Sequence, residues 1–209
     1  MGSRGFFCVF EGVDGSGKGT VISAVKNFLA AKGVSEEKVL LTAEPTSGFY
    51  GKKVRELLAT SPRPDLNAKQ FLDLYVADRK EHVEKVILPA LLEGKIILCD
   101  RYKYSTFVYQ SLQGIEVEKI RELHAGMPVP DLAIILDLPV ETALERINSD
   151  SKRGGVDAFE RKDFLEKVRR GFLDLPKVFP GEKISFVDAS VPLAKVCEKV
   201  CSLIYGQLH

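Results

Sequence analysis

A glycine-rich segment near the N-terminus has the residue types that bind phosphate. It runs from Glu11 to Thr20 as EGVDGSGKGT, and Gly12, Gly17 and Lys18 fit the G-x-x-x-x-G-K core of a Walker A loop. Glycines let consecutive backbone N–H groups curl around phosphate oxygens, and a following helix N-terminus adds a favourable dipole. Lys18 would place a positive charge where charge builds on the phosphates during transfer. A turn that only caps a helix is the structural alternative, but strand, loop, lysine and helix occur in the right order.

The loop departs from the usual pattern at the position that holds a magnesium ligand. Gly19 follows the lysine instead of Ser or Thr, and Thr20 comes one place later. Thr20 would therefore touch phosphate, or Mg²⁺ would be held mostly through water. The loop alone does not distinguish a kinase from a GTPase or a motor, but no N-K-x-D motif for guanine follows it.

A carboxylate and an arginine follow a second apolar run. Ile96–Cys99 has the composition of a buried strand, and Asp100 ends it in the manner of a Walker B element. A carboxylate at this point can orient Mg²⁺ or its waters, although an aspartate at a strand end is often only structural. Arg101 follows directly, and its charge suits the phosphate of an acceptor better than metal chelation.

Short apolar runs alternate along the chain with longer helical patterns, which is typical of a parallel sheet. The predicted strands are Phe6–Phe10, Val39–Thr42, Ile96–Cys99, Leu132–Leu136 and Ile184–Val187. The predicted helices are Lys18–Ala31, Val54–Ala59, Ala68–Leu92 with a kink or break at Pro89, Ile115–His124, Val140–Asn148 and Val191–Leu208. We expect an α/β fold, a three-layer doubly wound five-stranded parallel sheet. Ligands then bind beyond the carboxyl ends of the strands, where the candidate residues fall.

The composition suits one α/β domain spanning residues 1–209. Hydrophobic residues make up 45% of the chain, and 30 basic against 29 acidic residues leave no field that would hold a long nucleic acid. The apolar run that ends at Glu11 is too short for a signal peptide or a membrane span. We therefore expect no membrane association and a cytoplasmic location. The four cysteines lack zinc-ligand spacing and suit a reducing compartment.

Taken together, these motifs resemble the thymidylate kinases, which belong to the P-loop nucleoside monophosphate kinases. The matching stretches are Phe10–Lys18, Glu44–Gly48 followed by Arg55, Leu74–Arg79 with His82, Asp100–Tyr102 with Ser105, Thr106, Tyr109 and Gln110, and Pro130–Leu132 with Asp137. They cover most of the chain. The resemblance implies transfer of the γ-phosphoryl group of ATP to dTMP, with Mg²⁺ as cofactor. It also implies a P-loop at residues 12–20, a mobile lid at about residues 148–164, and a homodimer.

The resemblance also assigns residues to each substrate. The residues assigned to ATP are Gly12, Val13, Asp14, Gly15, Ser16, Gly17, Lys18, Gly19, Thr20 and Arg153. Those assigned to the acceptor are Asp14, Glu44, Pro45, Arg55, Tyr75, Arg79, Arg101, Ser105, Thr106, Tyr109 and Gln110. The resemblance makes Lys18, Asp14, Arg101 and Arg153 catalytic, and it gives Asp14 and Asp100 to the metal.

Individual roles within the acceptor site follow from the same resemblance. Asp14 would face the sugar and phosphate, and Tyr75 would stack on the thymine ring unless it is an ordinary core aromatic. Arg79 would bind the edge of the base. Arg101 and Arg55 would hold the acceptor phosphate with their guanidinium forks, although Arg55 also fits a solvated helix face. Dimerisation would use helices near the sheet edge, and apolar residues between positions 72 and 86 serve either that interface or the core.

Gly19 is one departure from the family pattern, and two further positions also depart from it. Ala43 stands where many members have Arg before Glu-Pro, and Gly15 stands where some members carry an arginine in the P-loop. The charge that builds during transfer must then be neutralised from elsewhere. We assign this role to Arg153 in the lid, with Arg161 second, while a solvated basic loop is the structural alternative.

Replacing Arg153 by Ala is expected to lower the turnover number by about 10²-fold or more, the size typical of an arginine that neutralises a transferring phosphoryl group. The measurement is kcat at saturating concentrations of both substrates. An unchanged kcat would reject this role.

Three other functions stay open at this stage. A related kinase would accept dUMP, another monophosphate or a deoxynucleoside, since the acceptor residues favour a pyrimidine but do not show a pocket for the 5-methyl group. A nucleotide-dependent switch or nucleic-acid ATPase would hydrolyse ATP without an acceptor. An inactive binding module is disfavoured because Lys18, Asp14, Asp100 and Arg101 are all present.

Overall fold

Five parallel strands form a single sheet in this computed structural model, which describes residues 4–61, 67–149 and 162–208. The strands are β1 Phe6–Glu11, β2 Val39–Ala43, β3 Ile96–Asp100, β4 Leu132–Asp137 and β5 Ile184–Asp188. Their order across the sheet is β2-β3-β1-β4-β5, and every pairing is parallel. The predicted α/β fold and its five strands are confirmed. Each strand extends one residue beyond its predicted end.

Helices cover both faces of the sheet. They are α1 Lys18–Ala31, α2 Phe49–Thr60, α3 Ala68–His82, α4 Leu88–Leu92, α5 Lys103–Leu112, α6 Val117–Leu123, α7 Val140–Ser149, α8 Lys162–Leu173, α9 Leu175–Val178 and α10 Leu193–Leu208. On one side α1 contacts α10, while on the other α5 contacts α3 and α8. No helix within the described ranges is both long and apolar enough to cross a membrane.

The central strands lie in the deepest part of the core. Residues 7–10 of β1 are fully buried, and Leu132–Leu136 of β4 are at most 2% exposed. This explains their continuous apolar sequences, because a central parallel strand is covered by helices on both faces. The edge strands β2 and β5 instead expose Leu41 and Phe186. The carboxyl ends of β1, β3 and β4 therefore lie side by side, and they carry Glu11, Asp100 and Asp137.

The long helical pattern from Ala68 to Leu92 is divided into three parts. A π-helical segment, Val83–Ile87, joins α3 to α4. Pro89 was predicted to kink or break this pattern, and it lies at the start of α4, directly after the π-helical segment. The irregular segment therefore precedes the proline instead of centring on it.

Other helix boundaries differ from the predictions for local reasons. α2 begins at Phe49, five residues before the predicted start, and α6 begins at Val117 because Glu116 is extended. Helix α5 was not predicted. Its sequence, KYSTFVYQSL, is rich in aromatic and β-branched residues that favour strands. Its first turn is held by a distant carboxylate, as described below.

Candidate active site

The P-loop crosses from β1 to α1 with glycines at its tightest points. Gly12, Gly15 and Gly17 have φ angles of 137°, 80° and 90°, in the left-handed region that favours glycine. A Cβ atom at Gly12 would lie 2.6 Å from the carbonyl oxygen of Leu136, and one at Gly15 would lie 2.7 Å from that of Ala143. The loop can therefore keep this path only with glycine at these two positions.

Lys18 is the first residue of α1, and its side chain folds back into the loop. Its Nζ lies 3.2 Å from the carbonyl oxygen of Gly12, 3.3 Å from that of Val13, and 4.0 Å from Oδ1 of Asp14. Burial, followed by the charge of Arg101, lowers the pKa of Lys18 to about 8, although nearby carboxylates oppose the shift. The charged amino group of Lys18 is thus held inside the loop, close to the loop backbone.

Arg101 links the P-loop to the segment after β3. Its Nη2 donates to Oδ1 of Asp14 at 2.8 Å, and its Nη1 donates to the hydroxyl of Ser105 at 3.0 Å. Its backbone has a φ of 66°, a conformation that costs energy for a residue with a side chain. Two carboxylates, on Glu11 and Asp14, lie around the resulting turn, so the guanidinium is fixed directly beside the phosphate loop.

Glu11 was not assigned a role from the sequence, yet it organises this turn. Its Oε1 accepts the N–H groups of Tyr102 at 2.8 Å and Ser105 at 3.2 Å, and its Oε2 accepts the hydroxyl of Ser105 at 2.5 Å. Burial raises the pKa of Glu11, while Arg101 and these hydrogen bonds oppose the rise. A carboxylate at the end of β1 therefore caps the N-terminus of α5, because the side chain of Tyr102 at the N-cap position accepts no hydrogen bond from the first N–H groups of the helix.

Asp100 supplies a carboxylate oxygen suited to a metal ion. Its Oδ1 is buried and has no hydrogen-bond partner within the described residues. It lines a cavity of about 380 Å³ together with Asp14, Lys18, Thr20 and other P-loop residues. The described ranges contain no cluster of three metal-ligating side chains. This donor set fits Mg²⁺, which keeps several waters and takes one or two carboxylates plus substrate phosphates.

A second cavity, of about 190 Å³, adjoins the phosphate cavity. It is lined by Asp14, Glu44, Pro45, Leu58, Tyr75, Arg79, Arg101, Tyr102, Ser105, Thr106, Tyr109 and Gln110. The structure therefore brings together every predicted acceptor residue except Arg55. Leu58 and Tyr102 also line the cavity, although neither was assigned a role from the sequence. Four residues line both cavities and mark the point where the two spaces meet: Asp14, Glu44, Pro45 and Arg101. Of these, Asp14 and Arg101 are joined by an ion pair.

Arg79 is almost completely buried at one wall of the second cavity. Its Nε donates to Oε2 of Glu44 at 2.6 Å, and its Nη1 lies 2.9 Å from the hydroxyl of Thr106 and 2.5 Å from Nε2 of His124. The ring of Tyr102 lies 5.2 Å from its guanidinium carbon. Among the described residues no partner lies within hydrogen-bond distance of Nη2, so that nitrogen remains to bind a ligand in the cavity.

Aromatic and amide side chains complete this cavity. Tyr75 is half-buried and its ring stacks on Phe71, with 6.4 Å between ring centroids. The ring of Tyr109 lies 5.8 Å from the guanidinium carbon of Arg101, and burial raises the pKa of Tyr109. The Oε1 of Gln110 is buried without a partner in the described part of the chain. The rings of Tyr75 and Tyr109 thus give the cavity flat walls, and Oε1 of Gln110 is an acceptor available to a ligand.

Arg55 lies at the edge of the phosphate cavity, where it supports the loop after β2. It donates to the carbonyl oxygens of Pro45 at 2.5 Å and Thr46 at 2.7 Å. Its predicted contact with phosphate stays a prediction, as do the roles of the other site residues. Arg153 and Arg161 lie outside the described residues. Of the lid at about 148–164, residues 148–149 belong to α7 and residues 162–164 to α8.

A third cavity, of about 310 Å³, lies on the outer side of the P-loop and was missed from the sequence. Arg146 of α7 reaches across it and donates to the carbonyl oxygens of Gly15 at 3.4 Å and Ala189 at 3.2 Å. Val191 and Val196 form an apolar wall. Position 189 directly follows β5, so the rule that ligands bind beyond strand ends was the available signal.

Comparison with known proteins agrees with this geometry. Residues 10–200 match the family model described as thymidylate kinase. The chain is 43% identical to the thymidylate kinase of Desulfotalea psychrophila over 171 residues, which cover 82% of each chain. It is 38% identical to the probable thymidylate kinase of Pyrococcus abyssi over 98% of each chain. It is also 38% identical to the thymidylate kinase of Brachyspira hyodysenteriae, covering 96% of this chain and 94% of that protein.

Proposed function

The chain belongs to the thymidylate kinase family, and on that basis we propose that it transfers the γ-phosphoryl group of ATP to dTMP, giving dTDP and ADP. The observation that carries the proposal is the junction of the two cavities at Asp14 and Arg101. One cavity has the amides and ammonium of a donor site, and the other has the flat walls of a nucleoside site. An acceptor phosphate at the junction would therefore face the last phosphate of the donor.

The donor would lie along the P-loop with its base in the third cavity. The loop amides and Lys18 would bind the β and γ phosphates. The adenine ring would lie between the guanidinium of Arg146 and the apolar side chains of Val191 and Val196. This arrangement supports ATP as donor because each part of the nucleotide has a matching surface.

Transfer would depend on positioning and charge neutralisation. A monophosphate is already ionised near neutral pH, so no general base is required. Arg101 would hold it in line with the γ phosphate, while Asp14 and Ser105 fix the guanidinium. Lys18 and Arg101 would neutralise charge on the transferring oxygens. Asp100, with Asp14, would hold Mg²⁺ through its waters, and the bound ion would supply further neutralisation of the phosphates.

Two polar groups of the nucleoside cavity suit the edge of thymine. The free Nη2 of Arg79 is a donor and would bind the O4 carbonyl, while the unpaired Oε1 of Gln110 would accept the N3–H group. Cytosine has a donor and an acceptor in the reverse positions. The pocket should therefore reject dCMP strongly, because buried polar groups would be left unpaired.

A coupled assay of ADP release over a panel of acceptors tests the function. With dTMP we expect the highest kcat/KM, with dCMP a value lower by about 10³-fold or more, and with dUMP a reduction of about 10-fold to 100-fold for one missing methyl group. ATP without acceptor should give only background release. Equal ATP consumption with and without acceptor would instead identify a nucleotide-hydrolysing switch. Preference for another monophosphate or for thymidine would identify a related kinase.

We also propose a single kinase domain, residues 1–209, that works as a cytoplasmic homodimer with residues of about 148–164 as its lid. All four cysteines are free, which suits a reducing compartment. Leu72, Val76 and Val83 are buried in the chain's own core, which favours the core interpretation of these three residues over a place in a dimer interface. Leu41, Leu88 and Leu92 are exposed at the β2 side of the sheet and are better candidates. Light scattering of the protein and of a Leu88→Glu variant would test this interface.

A further inference from the structure

His124 is a buried side chain that the proposed reaction does not use. It follows α6 directly, is 7% exposed, and lies beside Arg79 although 45 residues separate them in the chain. Building on the proposed function, we propose that His124 is a positioning residue for the acceptor base. It accepts a hydrogen bond from Arg79 and thereby fixes the guanidinium in the orientation that recognises the pyrimidine.

The contacts of His124 determine which of its nitrogens carries a proton. Nδ1 lies 2.7 Å from the carbonyl oxygen of Ile120, which can only accept, so Nδ1 must donate. Nε2 lies 2.5 Å from Nη1 of Arg79, which can only donate, so Nε2 must accept. Both bonds form only if the imidazole is neutral and protonated at Nδ1.

The surroundings of His124 favour this neutral form. Burial is the largest cause and, with the positive charges of Arg79, Lys103 and Lys80, lowers the pKa of His124 to about 3, although the bond to Ile120 opposes the shift. The nearby carboxylates are already paired, Glu44 with Arg79 and Glu182 with Lys103. The ring is also held from α5 by Phe107, with 5.5 Å between ring centroids. His124 therefore stays an acceptor throughout the working pH range.

The bond to His124 matters because of what else holds Arg79. Glu44 binds Nε, and Thr106 shares Nη1 with His124. If the bond from Arg79 to His124 is lost, one N–H of the buried Arg79 guanidinium has no acceptor. The guanidinium can then rotate towards a different acceptor. Nη2 would then leave the direction in which it meets the base. The loss should weaken nucleoside binding while the P-loop and Arg101 keep their places.

Two substitutions of equal length separate this role from packing. Counted along the side chain, His124→Gln puts Oε1 at the place of the imidazole Nε2, whereas His124→Met fills similar space without a strong acceptor. Both lose the donor to Ile120. We expect Gln to keep the KM for dTMP within about threefold, and Met to raise it about tenfold or more, since a buried charged donor loses its partner. In both variants kcat and the KM for ATP should change by less than about threefold.

Each outcome of the kinetic test has a distinct meaning. An unchanged KM for dTMP in the Met variant overturns the inference, and so does an equal rise in both variants, which would show a packing role. If the wild-type protein itself does not phosphorylate dTMP, the proposed function fails instead. A Met variant that raises KM for ATP as much as KM for dTMP would also contradict a role confined to the base.

Acid unfolding tests the neutral imidazole without any enzyme assay. In the unfolded chain His124 binds a proton below its ordinary pKa of 6.5, whereas in the folded chain it does so only near 3. The unfolded state therefore binds more protons within this window, so the free energy of unfolding must fall as pH falls through it. The Gln variant lacks this group and should lose less stability between pH 6.5 and 4. Parallel curves for the two proteins would show that His124 is not held neutral.

Discussion

Replacing Lys18 by Met is expected to lower kcat with ATP and dTMP by about 10³-fold or more, a loss of about 4 kcal/mol of transition-state stabilisation. The ammonium lies within the loop, close to the carbonyl oxygens of Gly12 and Val13, and is almost completely buried. In such a site a fixed charge acts on the phosphates with little screening by water. Methionine has similar length and no charge, so the loss would report the charge itself.

The measurement is steady-state ADP release at saturating substrates, with KM for dTMP expected to stay within about threefold. Lys26→Met on the same helix is the matched control, since Lys26 lies about two helical turns after Lys18. Its ion pair is with the exposed Glu36, away from the P-loop. This control should leave kcat unchanged. A Lys18→Met enzyme with more than a tenth of the wild-type kcat would contradict the role.

The lowered pKa of Lys18 gives this prediction a pH dependence. Without nucleotide the side chain is charged below about pH 8 and loses its proton above it. ATP phosphates bind the charged form, so ATP binding should raise this pKa and take up protons near pH 8. Calorimetry in buffers of different ionisation enthalpy would measure that uptake. The Lys18→Met variant should lack it.

Replacing Arg101 by Lys is expected to lower kcat/KM for dTMP by about 10²-fold to 10³-fold, although the charge is kept. Arg101 binds Asp14 and Ser105 through different nitrogens, and in the proposed reaction it would also bind the acceptor phosphate. A single ammonium cannot fill these positions in one fixed plane. Both side chains carry a Cβ, so the positive φ of 66° costs the two residues similar energy, and the comparison isolates the head group.

Arg4→Lys serves as the control for this substitution, because Arg4 is exposed and pairs with Asp131 at the opposite end of the sheet. It should leave all kinetic constants unchanged. Thermal unfolding of both variants would exclude a general loss of structure. If Arg101→Lys kept kcat/KM for dTMP within about threefold of the wild-type value, the guanidinium fork would have no special role.

The strands were predicted well because their signals are local, and the glycine-rich segment lies between β1 and α1 as its motif predicts. A central strand reads as an apolar run, and the loop reads as glycines around a lysine. Helix α5 was missed because its first turn depends on Glu11, more than 90 residues earlier, while its own residues favour strands. Likewise, nothing near His124 indicates that it meets Arg79. Contacts of this kind become visible only when the fold has brought the segments together.

The position of Glu11 has a consequence for how the two substrates are aligned. The same carboxylate ends the strand that leads into the ATP loop and anchors the turn that carries Arg101. The loop proposed to bind ATP and the turn that carries Arg101 are therefore both anchored at the same end of β1. For the proposed transfer, the residues that would bind the two reacting phosphates would therefore keep a set separation before either nucleotide binds. In the proposed reaction, closure of the lid would then only add charge and exclude water, because the two substrates would already be aligned.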